Sequence, residues 1–324
     1  MHRKNSFISM DNIANDISGK IPNNISDNIS NNLIQTSPSF VFKLRQFGVM
    51  LKFRLTMLVV FSGAFGFALA TPNDINVDMW RLLWLCVGSF LITGSANTIN
   101  QIIEKEYDKL MKRTAIRPLA TGALSSQEAT IFAIVLGIAG TILLAVFVNV
   151  ISAALSVFSL VLYAFVYTPM KRISPFCVLI GAFPGALPPL IGWAAMQGYV
   201  GLEALIIFGI QFIWQFPHFW AIAWVAHDDY TNAGFKMLPG DKNINTAFQI
   251  MIYTLFLIPL GLLPSQFGIA GYTSAIIATC FGLLFLAQTF YLMKTGTNKA
   301  ALMMMFGSFI YLPVVQIAYL VDKL

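Results

Sequence analysis

The chain has little charge for its length. Of its 324 residues only 10% are Asp, Glu, Lys or Arg, whereas 57% are hydrophobic and the mean hydropathy is +0.73. Soluble domains carry charge on about a quarter of their residues, so this composition excludes an ordinary soluble protein. Apolar stretches of about 20 residues recur, the length that crosses the hydrocarbon core of a bilayer. We therefore expect a polytopic membrane protein.

Cysteine is also scarce. The three cysteines, Cys86, Cys177 and Cys280, stand singly inside apolar segments, without a CxxC pair or any paired spacing. Neither a disulfide framework nor a zinc site is indicated by this pattern. We interpret the three residues as small apolar core residues.

The first 41 residues lack any long apolar run and are rich in Asn, Ser and Asp. They have neither the apolar core of a signal peptide nor the Arg-rich, acid-poor composition of a transit peptide. This composition predicts a disordered tail without a catalytic part over 1–41. A single membrane domain is expected over 42–324.

Hydrophobicity predicts nine membrane-spanning helices, so the expected fold is all-α. The starts of the first four spans recur about 120 residues later in the next four, which indicates two similar four-helix units, about 55–169 and 176–293, around a central cavity, plus a final helix. The predicted spans are 55–71, 79–103, 127–147, 150–169, 176–196, 202–226, 246–267, 271–293 and 299–321.

The basic residues are distributed very unevenly over the loops. With nine spans, all of the 20 Lys and Arg residues except Arg81 and Lys323 fall on one side of the membrane. The positive-inside rule places that side in the cytoplasm. We expect a multi-pass protein of the cell inner membrane with a cytoplasmic N-terminus and its C-terminus on the opposite side.

A polar stripe marks the end of the second span. Asn100, Glu104 and Asp108 are four residues apart and therefore share one face of a helix. Ionisable groups at membrane depth are costly and usually functional. Their oxygens suit Mg²⁺, which proteins hold with one or two carboxylates plus substrate phosphates. We predict a catalytic metal site, the alternative being a solvated helix end with ordinary i,i+4 ion pairs.

Basic residues follow this stripe directly. Lys112, Arg113 and Arg117 are predicted to bind the phosphates of the same substrate.

A second acidic cluster, Asp228 and Asp229, follows the sixth span, and Lys236 behind it is a further predicted diphosphate ligand. Asp229 lies 121 residues after Asp108, close to the offset between the spans. The two Asp residues point to different sides of a helix, so both are candidate metal ligands but only Asp229 is predicted to be catalytic. Two acidic sites that face each other suit the ionisation of a diphosphate, because the leaving pyrophosphate carries most of the developing charge.

These patterns resemble the UbiA-type intramembrane prenyltransferases. The family motif N-x-x-x-[DE]-x-x-x-D is met by Asn100 to Asp108 and is followed by Arg117-Pro-Leu119. The resemblance runs from about residue 45 onward, although Ile116 stands where Asn is usual and Glu104 where Asp is commoner. Other matching segments are Asp108 to Thr114, Tyr167-Thr168 with Lys171-Arg172, Gly181 to Trp193, Pro217-His-Phe-Trp220, and Asp229-Tyr230 with Met237-Leu-Pro239.

The runs Gly181 to Trp193 and Pro217 to Trp220 are typical of the haem-modifying branch of this family. The resemblance implies that farnesyl diphosphate and protohaem IX (haem B) are the substrates, with Mg²⁺ as cofactor. A haem vinyl group would attack the farnesyl cation, and water would then quench the new cation to give haem O for haem-copper oxidases. The resemblance also implies that Lys171 and Arg172 bind diphosphate. The partners it implies are the lipid bilayer and haem A synthase or oxidase assembly factors, with no nucleic acid.

His218 lies inside the sixth span, between Trp214 and Trp220. An ionisable side chain at this depth is unusual, and a neutral imidazole there could ligate haem iron or orient a carboxylate. The alternative is a core histidine bonded to a neighbouring helix, with Gln215 or Gln211 as candidate partners. With the resemblance, we expect His218 and both tryptophans to line the haem pocket.

The fifth span contains Pro184, Pro188 and Pro189 among several glycines, which predicts a broken or closely packed helix. Two other functions stay open. One is a prenyltransferase of the same fold that acts on a quinone precursor or another tetrapyrrole, and the other is a cation-coupled transporter built on repeats. The polar groups gather at one face rather than at the midplane, which favours an enzyme.

Overall fold

The computed structural model describes residues 39–324, so the predicted tail lies outside the described residues except for 39–41. The chain divides into two parts, Met1–Leu44 and Arg45–Leu324. The first part is described only over 39–44, where a helix begins at Phe40. The second part contains all the membrane-spanning helices found among the described residues.

Residues 39–324 form helices joined by short loops, with no strand beyond an isolated bridge between Ala270 and Lys323. The helices are α1 (Phe40–Met50), α2 (Phe53–Ala70), α3 (Met79–Asp108), α4 (Ser126–Phe147), α5 (Val150–Met170), α6 (Cys177–Gln197), α7 (Leu202–Val225), α8 (His227–Asn232), α9 (Ile244–Leu260), α10 (Leu263–Gln266), α11 (Tyr272–Thr295) and α12 (Asn298–Val321).

Nine spans within residues 39–324 are long and apolar enough to cross a membrane, which confirms the predicted number. They are α2 to α7, the combined segment Ile244–Gln266, α11 and α12. The largest difference from the predicted bounds is in α3, which continues beyond 103 to Asp108 because its last turns bury the polar stripe. The stripe therefore lies on one continuous helix. The internal repeat stays a prediction.

The fifth span, α6, is one continuous helix although it contains three prolines, so the alternative of a broken helix is wrong. Proline cannot donate the usual hydrogen bond to the carbonyl four residues earlier. Neighbouring helices supply the missing donors: Gln211 Nε2 donates to the Gly185 carbonyl over 2.8 Å, and the Ser159 hydroxyl donates to the Pro184 carbonyl over 3.4 Å. These two carbonyls are the ones that Pro189 and Pro188 leave free.

Close packing of α6 against α2 is confirmed. A Cβ atom added at Gly192 would lie 1.9 Å from the Gly63 carbonyl oxygen, and one at Gly66 would lie 2.0 Å from the Pro189 carbonyl oxygen. Only glycine allows the two backbones to approach so closely.

The fourth span, α5, widens into a π-helical turn over Leu162–Tyr167. Pro169 follows this turn and has no N–H group, so the regular ladder is interrupted there. The Tyr163 carbonyl accepts both the backbone N–H of Thr168 and, over 2.9 Å, its hydroxyl. The wide turn presents Tyr163 and Tyr167 to the central cavity.

Candidate active site

The polar stripe of α3 is almost completely buried. Asn100, Glu104 and Asp108 are 1%, 4% and 1% exposed. Burying two carboxylates is expensive unless both are paired, so their partners decide what this site is.

Both carboxylates are paired with cations that lie outside α3. Arg117 donates through Nη1 to both oxygens of Asp108 over 2.7 Å, and Lys171 donates through Nζ to Glu104 Oε1 over 2.8 Å. The exposed Glu106, by contrast, pairs with Lys109 on the same helical surface over 2.7 Å. The stripe is therefore not a solvated helix end with local ion pairs.

Lys171 follows the last turn of α5 and stands at the junction of the stripe and the cavity. Its Nζ lies 4.6 Å from the centre of the Tyr167 ring. Burial alone lowers the pKa of Lys171, but the Glu104 carboxylate and the nearby tyrosine hydroxyls outweigh it and hold this pKa above its usual value. The amine is thus a permanent cation beside the stripe.

Lys52 is a site residue that the sequence did not reveal. It lies in the turn between α1 and α2, and its Nζ donates to Asn100 Oδ1 over 3.1 Å. Asn100 in turn donates to the Thr168 hydroxyl over 3.2 Å. Lys52 has φ 49° and is the only non-glycine residue of 39–324 with positive φ. Such a conformation costs about 1–2 kcal/mol and occurs mainly where a site requires it.

Opposing effects set the pKa of Lys52. Burial, followed by the charges of Arg117 and Lys171, lowers its pKa to about 7, although Glu104 and Asp108 act in the opposite direction. A lysine directly before an apolar span is common, so no sequence signal separates Lys52 from ordinary topology-determining residues.

The other predicted phosphate ligands lie outside this network. Lys112, Arg113 and Lys236 are exposed, and in the described part of the chain no hydrogen bond or ion pair joins their side chains to the stripe. Lys236 is near through its backbone, which donates to the Lys171 carbonyl over 2.6 Å. Arg172 stacks on the Tyr107 ring and donates to its hydroxyl.

The second acidic cluster differs from the first. Asp228 and Asp229 lie on the six-residue helix α8, which has no buried residue. Within residues 39–324 neither side chain forms a hydrogen bond or an ion pair, and no group of three or more His, Cys, Asp or Glu residues is arranged to hold a metal. That the two acidic clusters face each other across a metal site remains a prediction.

The donor chemistry of the stripe nevertheless fits Mg²⁺. All three side chains offer oxygen, which this cation prefers. Lys171 occupies only Oε1 of Glu104, so Oε2 remains available, and the Asn100 amide oxygen accepts a single hydrogen bond. Two carboxylates and one amide leave the coordination of Mg²⁺ incomplete, and a substrate diphosphate would complete it.

A cavity of about 270 Å³ opens beside the stripe and extends between α2, α3, α5, α6, α7 and α12. Its wall is mostly apolar, and Tyr163 and Tyr167 form the part nearest Lys171. Its polar lining residues are Ser62, Asn97, Ser159, Gln211, Gln215, His218 and Gln316, besides the two tyrosines and Thr93.

His218 and Trp214 line this cavity, whereas Trp220 does not, and their contact with haem stays a prediction. Trp220 instead packs edge-on against Tyr253, with ring centres 5.1 Å apart. His218 is bonded to a neighbouring helix, as the alternative interpretation expected, but Gln211 and Gln215 are not its partners. Its Nδ1 lies 2.7 Å from the Ser308 hydroxyl on α12.

Comparison with known proteins assigns this fold and site to a class. The profile described as the UbiA prenyltransferase family matches residues 59–310. Two solved structures share the fold. A digeranylgeranylglyceryl phosphate synthase has a TM-score of 0.72 and 20% identity, over 86% of this chain and 98% of that one. A UbiA homologue from Archaeoglobus fulgidus bound to GPP and Mg²⁺ has a TM-score of 0.60 and 16% identity, over 85% and 99%.

The chain belongs to the UbiA prenyltransferase family. Within it, the chain is 54% identical over 275 residues to the protoheme IX farnesyltransferase of Cytophaga hutchinsonii, which covers 84% of this chain and 96% of that relative. The resemblance drawn from the sequence motifs is thereby confirmed.

Proposed function

We propose that this membrane protein transfers a farnesyl group from farnesyl diphosphate to a vinyl group of protohaem IX, and that one water molecule adds to the resulting cation, giving haem O and pyrophosphate. The observation that carries the proposal is the buried, ion-paired stripe beside an apolar cavity, in a chain 54% identical to a protoheme IX farnesyltransferase. The stripe would bind the diphosphate, and the cavity would hold the isoprenoid chain and the porphyrin.

Three cations hold and orient the diphosphate. Lys52, Arg117 and Lys171 surround two carboxylates, Glu104 and Asp108, so positive charge exceeds negative charge when Lys52 is protonated. Arginine and lysine in a site of low dielectric bind phosphate oxygens strongly. An incoming diphosphate competes with the carboxylates for these cations and frees carboxylate oxygens.

The oxygens thus freed, with the Asn100 amide, would hold Mg²⁺, as a divalent ion accompanies GPP in the Archaeoglobus fulgidus homologue. Asp229, and less directly Asp228, are proposed to complete the site from α8. The bound ion supplies positive charge that stabilises the leaving pyrophosphate.

The cavity controls the fate of the farnesyl group. Its apolar wall excludes bulk water, which would otherwise capture an allylic cation prematurely. The faces of aromatic rings attract cations, and Tyr163 and Tyr167 line the cavity beside the diphosphate ligand Lys171. These tyrosines are therefore proposed to stabilise the cation as the diphosphate leaves.

The orientation in the membrane follows from the basic residues. We place the end bearing Lys52, Arg117 and Lys171 in the cytoplasm, with the N-terminus on that side and the C-terminus opposite. Farnesyl diphosphate, a charged substrate, would then reach the stripe from the cytoplasm, and haem would enter from the bilayer. Haem A synthase or oxidase assembly factors are the proposed recipients of the product.

A reconstitution assay tests this function. Purified protein with Mg²⁺, haem B and farnesyl diphosphate should yield a farnesylated haem, detected by mass spectrometry, and one pyrophosphate for each product. Asp108→Ala should abolish turnover, whereas Glu106→Ala, an exposed neighbour on α3, should retain it. Absence of product from haem together with prenylation of 4-hydroxybenzoate would assign the protein to a quinone pathway instead.

A further inference from the structure

The hydrogen bonds of Ser308 determine which nitrogen of His218 carries the proton. The Ser308 hydroxyl lies 2.6 Å from the Met305 carbonyl oxygen and 2.7 Å from His218 Nδ1. Two oxygens only 2.6 Å apart repel each other unless a proton lies between them, so the single hydroxyl proton of Ser308 is committed to the carbonyl. Ser308 must then accept from His218, which makes Nδ1 the protonated nitrogen.

The other nitrogen of the ring, Nε2, is consequently an unprotonated acceptor. No residue among 39–324 forms a hydrogen bond with Nε2. Nε2 is also absent from the fully buried side-chain nitrogens and oxygens that lack a partner, so the atom keeps some accessible surface. The ring itself lines the cavity. The arrangement leaves one lone pair of a neutral imidazole available within an apolar chamber.

The imidazole is also held rigidly. Trp214 stacks on it with ring centres 4.5 Å apart and a 16° interplanar angle, and Phe309 contacts it edge-on at 4.8 Å. Trp214 is itself fixed by a hydrogen bond of 3.1 Å from Nε1 to the Ser308 carbonyl. Ser308 therefore orients the histidine through its hydroxyl and the stacking tryptophan through its backbone.

We propose that Ser308 is a positioning residue that presents His218 Nε2 as an axial ligand to the iron of the porphyrin substrate. This inference rests on the proposed function, since it requires a metalloporphyrin in the cavity. Histidines that bind metals usually donate their second ring N–H to an acceptor, which fixes both tautomer and orientation. Such acceptors typically change metal affinity by about 10-fold to 100-fold when removed.

The contribution of the iron contact to binding can be measured by comparing haem B with its metal-free analogue. Haem B and metal-free protoporphyrin IX have the same ring and side chains, so the affinity ratio between them reports the iron contact alone. The wild type should bind haem B more tightly than protoporphyrin IX. Ser308→Ala should lower the affinity for haem B by about tenfold and weaken the iron–imidazole band in resonance Raman spectra, without changing the affinity for protoporphyrin IX.

Two matched variants complete the experiment. Ser308→Thr keeps the hydroxyl and should restore the affinity ratio. Thr254→Val removes another buried hydroxyl that bonds only within its own helix, to the Ile250 carbonyl, and should leave the ratio at the wild-type value. An equal loss of affinity for both porphyrins in Ser308→Ala, or an unchanged ratio, would overturn the inference. Failure of the proposed function is recognised separately, because wild-type protein would then yield no farnesylated haem.

Discussion

The two acidic clusters, one at the end of α3 and one on α8, differ in their physical state. On α3, Glu104 and Asp108 are buried and already paired with Lys171 and Arg117. On α8, Asp229 and its neighbour are unpaired within residues 39–324 and lie on a helix of six residues. The first cluster is built into the folded protein, whereas the second is available to respond to a ligand.

This difference has an energetic meaning. A buried carboxylate contributes to folding only through its cation, so the first cluster links catalysis to stability. A solvated carboxylate contributes little to folding, so the second cluster can serve binding alone. Substitutions in the two clusters should therefore separate activity from stability.

The largest effect is expected for Glu104→Gln. It leaves Lys171 buried without its counter-charge, which should lower the free energy of unfolding by about 3–5 kcal/mol. Loss of an oxygen ligand at the diphosphate should also reduce kcat by about 100-fold to 1,000-fold. Denaturant titration in mixed micelles and the farnesyl-transfer assay measure the two effects. Glu106→Gln, which affects only an exposed pair, should change neither appreciably.

Asp229→Asn should affect activity alone. If Asp229 completes the diphosphate site, kcat should fall by about 100-fold, while the midpoint of unfolding without substrate stays at the wild-type value. The adjacent exposed residue gives the comparison, because Asp228→Asn, at a residue with a less direct part in the site, should lose less activity than Asp229→Asn. A larger loss for Asp228→Asn would transfer the catalytic role to that residue, and a large loss of stability for Asp229→Asn would contradict the distinction between the clusters.

The same contrast explains what sequence patterns could predict. The nine spans follow from apolar runs, and the stripe follows from the spacing of Asn100, Glu104 and Asp108, because helical periodicity depends only on local sequence. Arg117 was predicted as a phosphate ligand because it lies close to the stripe in the chain. These features need no knowledge of which helices are neighbours.

Contacts between distant segments could not be predicted in this way. Lys52 reaches Asn100 because a left-handed residue redirects the chain between α1 and α2. Ser308 contacts His218 from 90 positions away, so the expected bond to a neighbouring helix is present but its partner is not one of the two glutamines. The continuity of α6 likewise depends on Gln211 of another helix.

A smaller effect tests the close backbone packing between the two predicted four-helix units. They meet where α2 packs on α6, and Gly192→Ala would place a methyl group against the Gly63 carbonyl oxygen. Overpacking of this kind should lower the free energy of unfolding by about 1–3 kcal/mol. Gly209→Ala on α7 meets no atom within 4 Å and should instead be neutral or slightly stabilising. Equal stability of both variants would contradict the close contact.

The smallest effect concerns the pH dependence of substrate binding at the first cluster. With a pKa of about 7, set by burial and by Arg117 and Lys171 against Glu104 and Asp108, Lys52 is mostly charged at pH 6 and mostly neutral at pH 8. A bound diphosphate favours the protonated amine and raises its pKa, so binding is strongest below pH 7 and weakens as the pH rises. The KM for farnesyl diphosphate should thus increase by about threefold to tenfold between pH 6 and pH 8.

The diphosphate also titrates in this range, so a matched variant is needed to isolate the lysine. Lys52→Arg keeps a permanent cation, because the guanidinium does not lose its proton at these pH values. Its KM should retain only the pH dependence of the substrate, and the difference between the two profiles belongs to Lys52. Parallel profiles would show that the amine stays charged throughout. The charge of the first acidic cluster and its cations would then not change between pH 6 and pH 8.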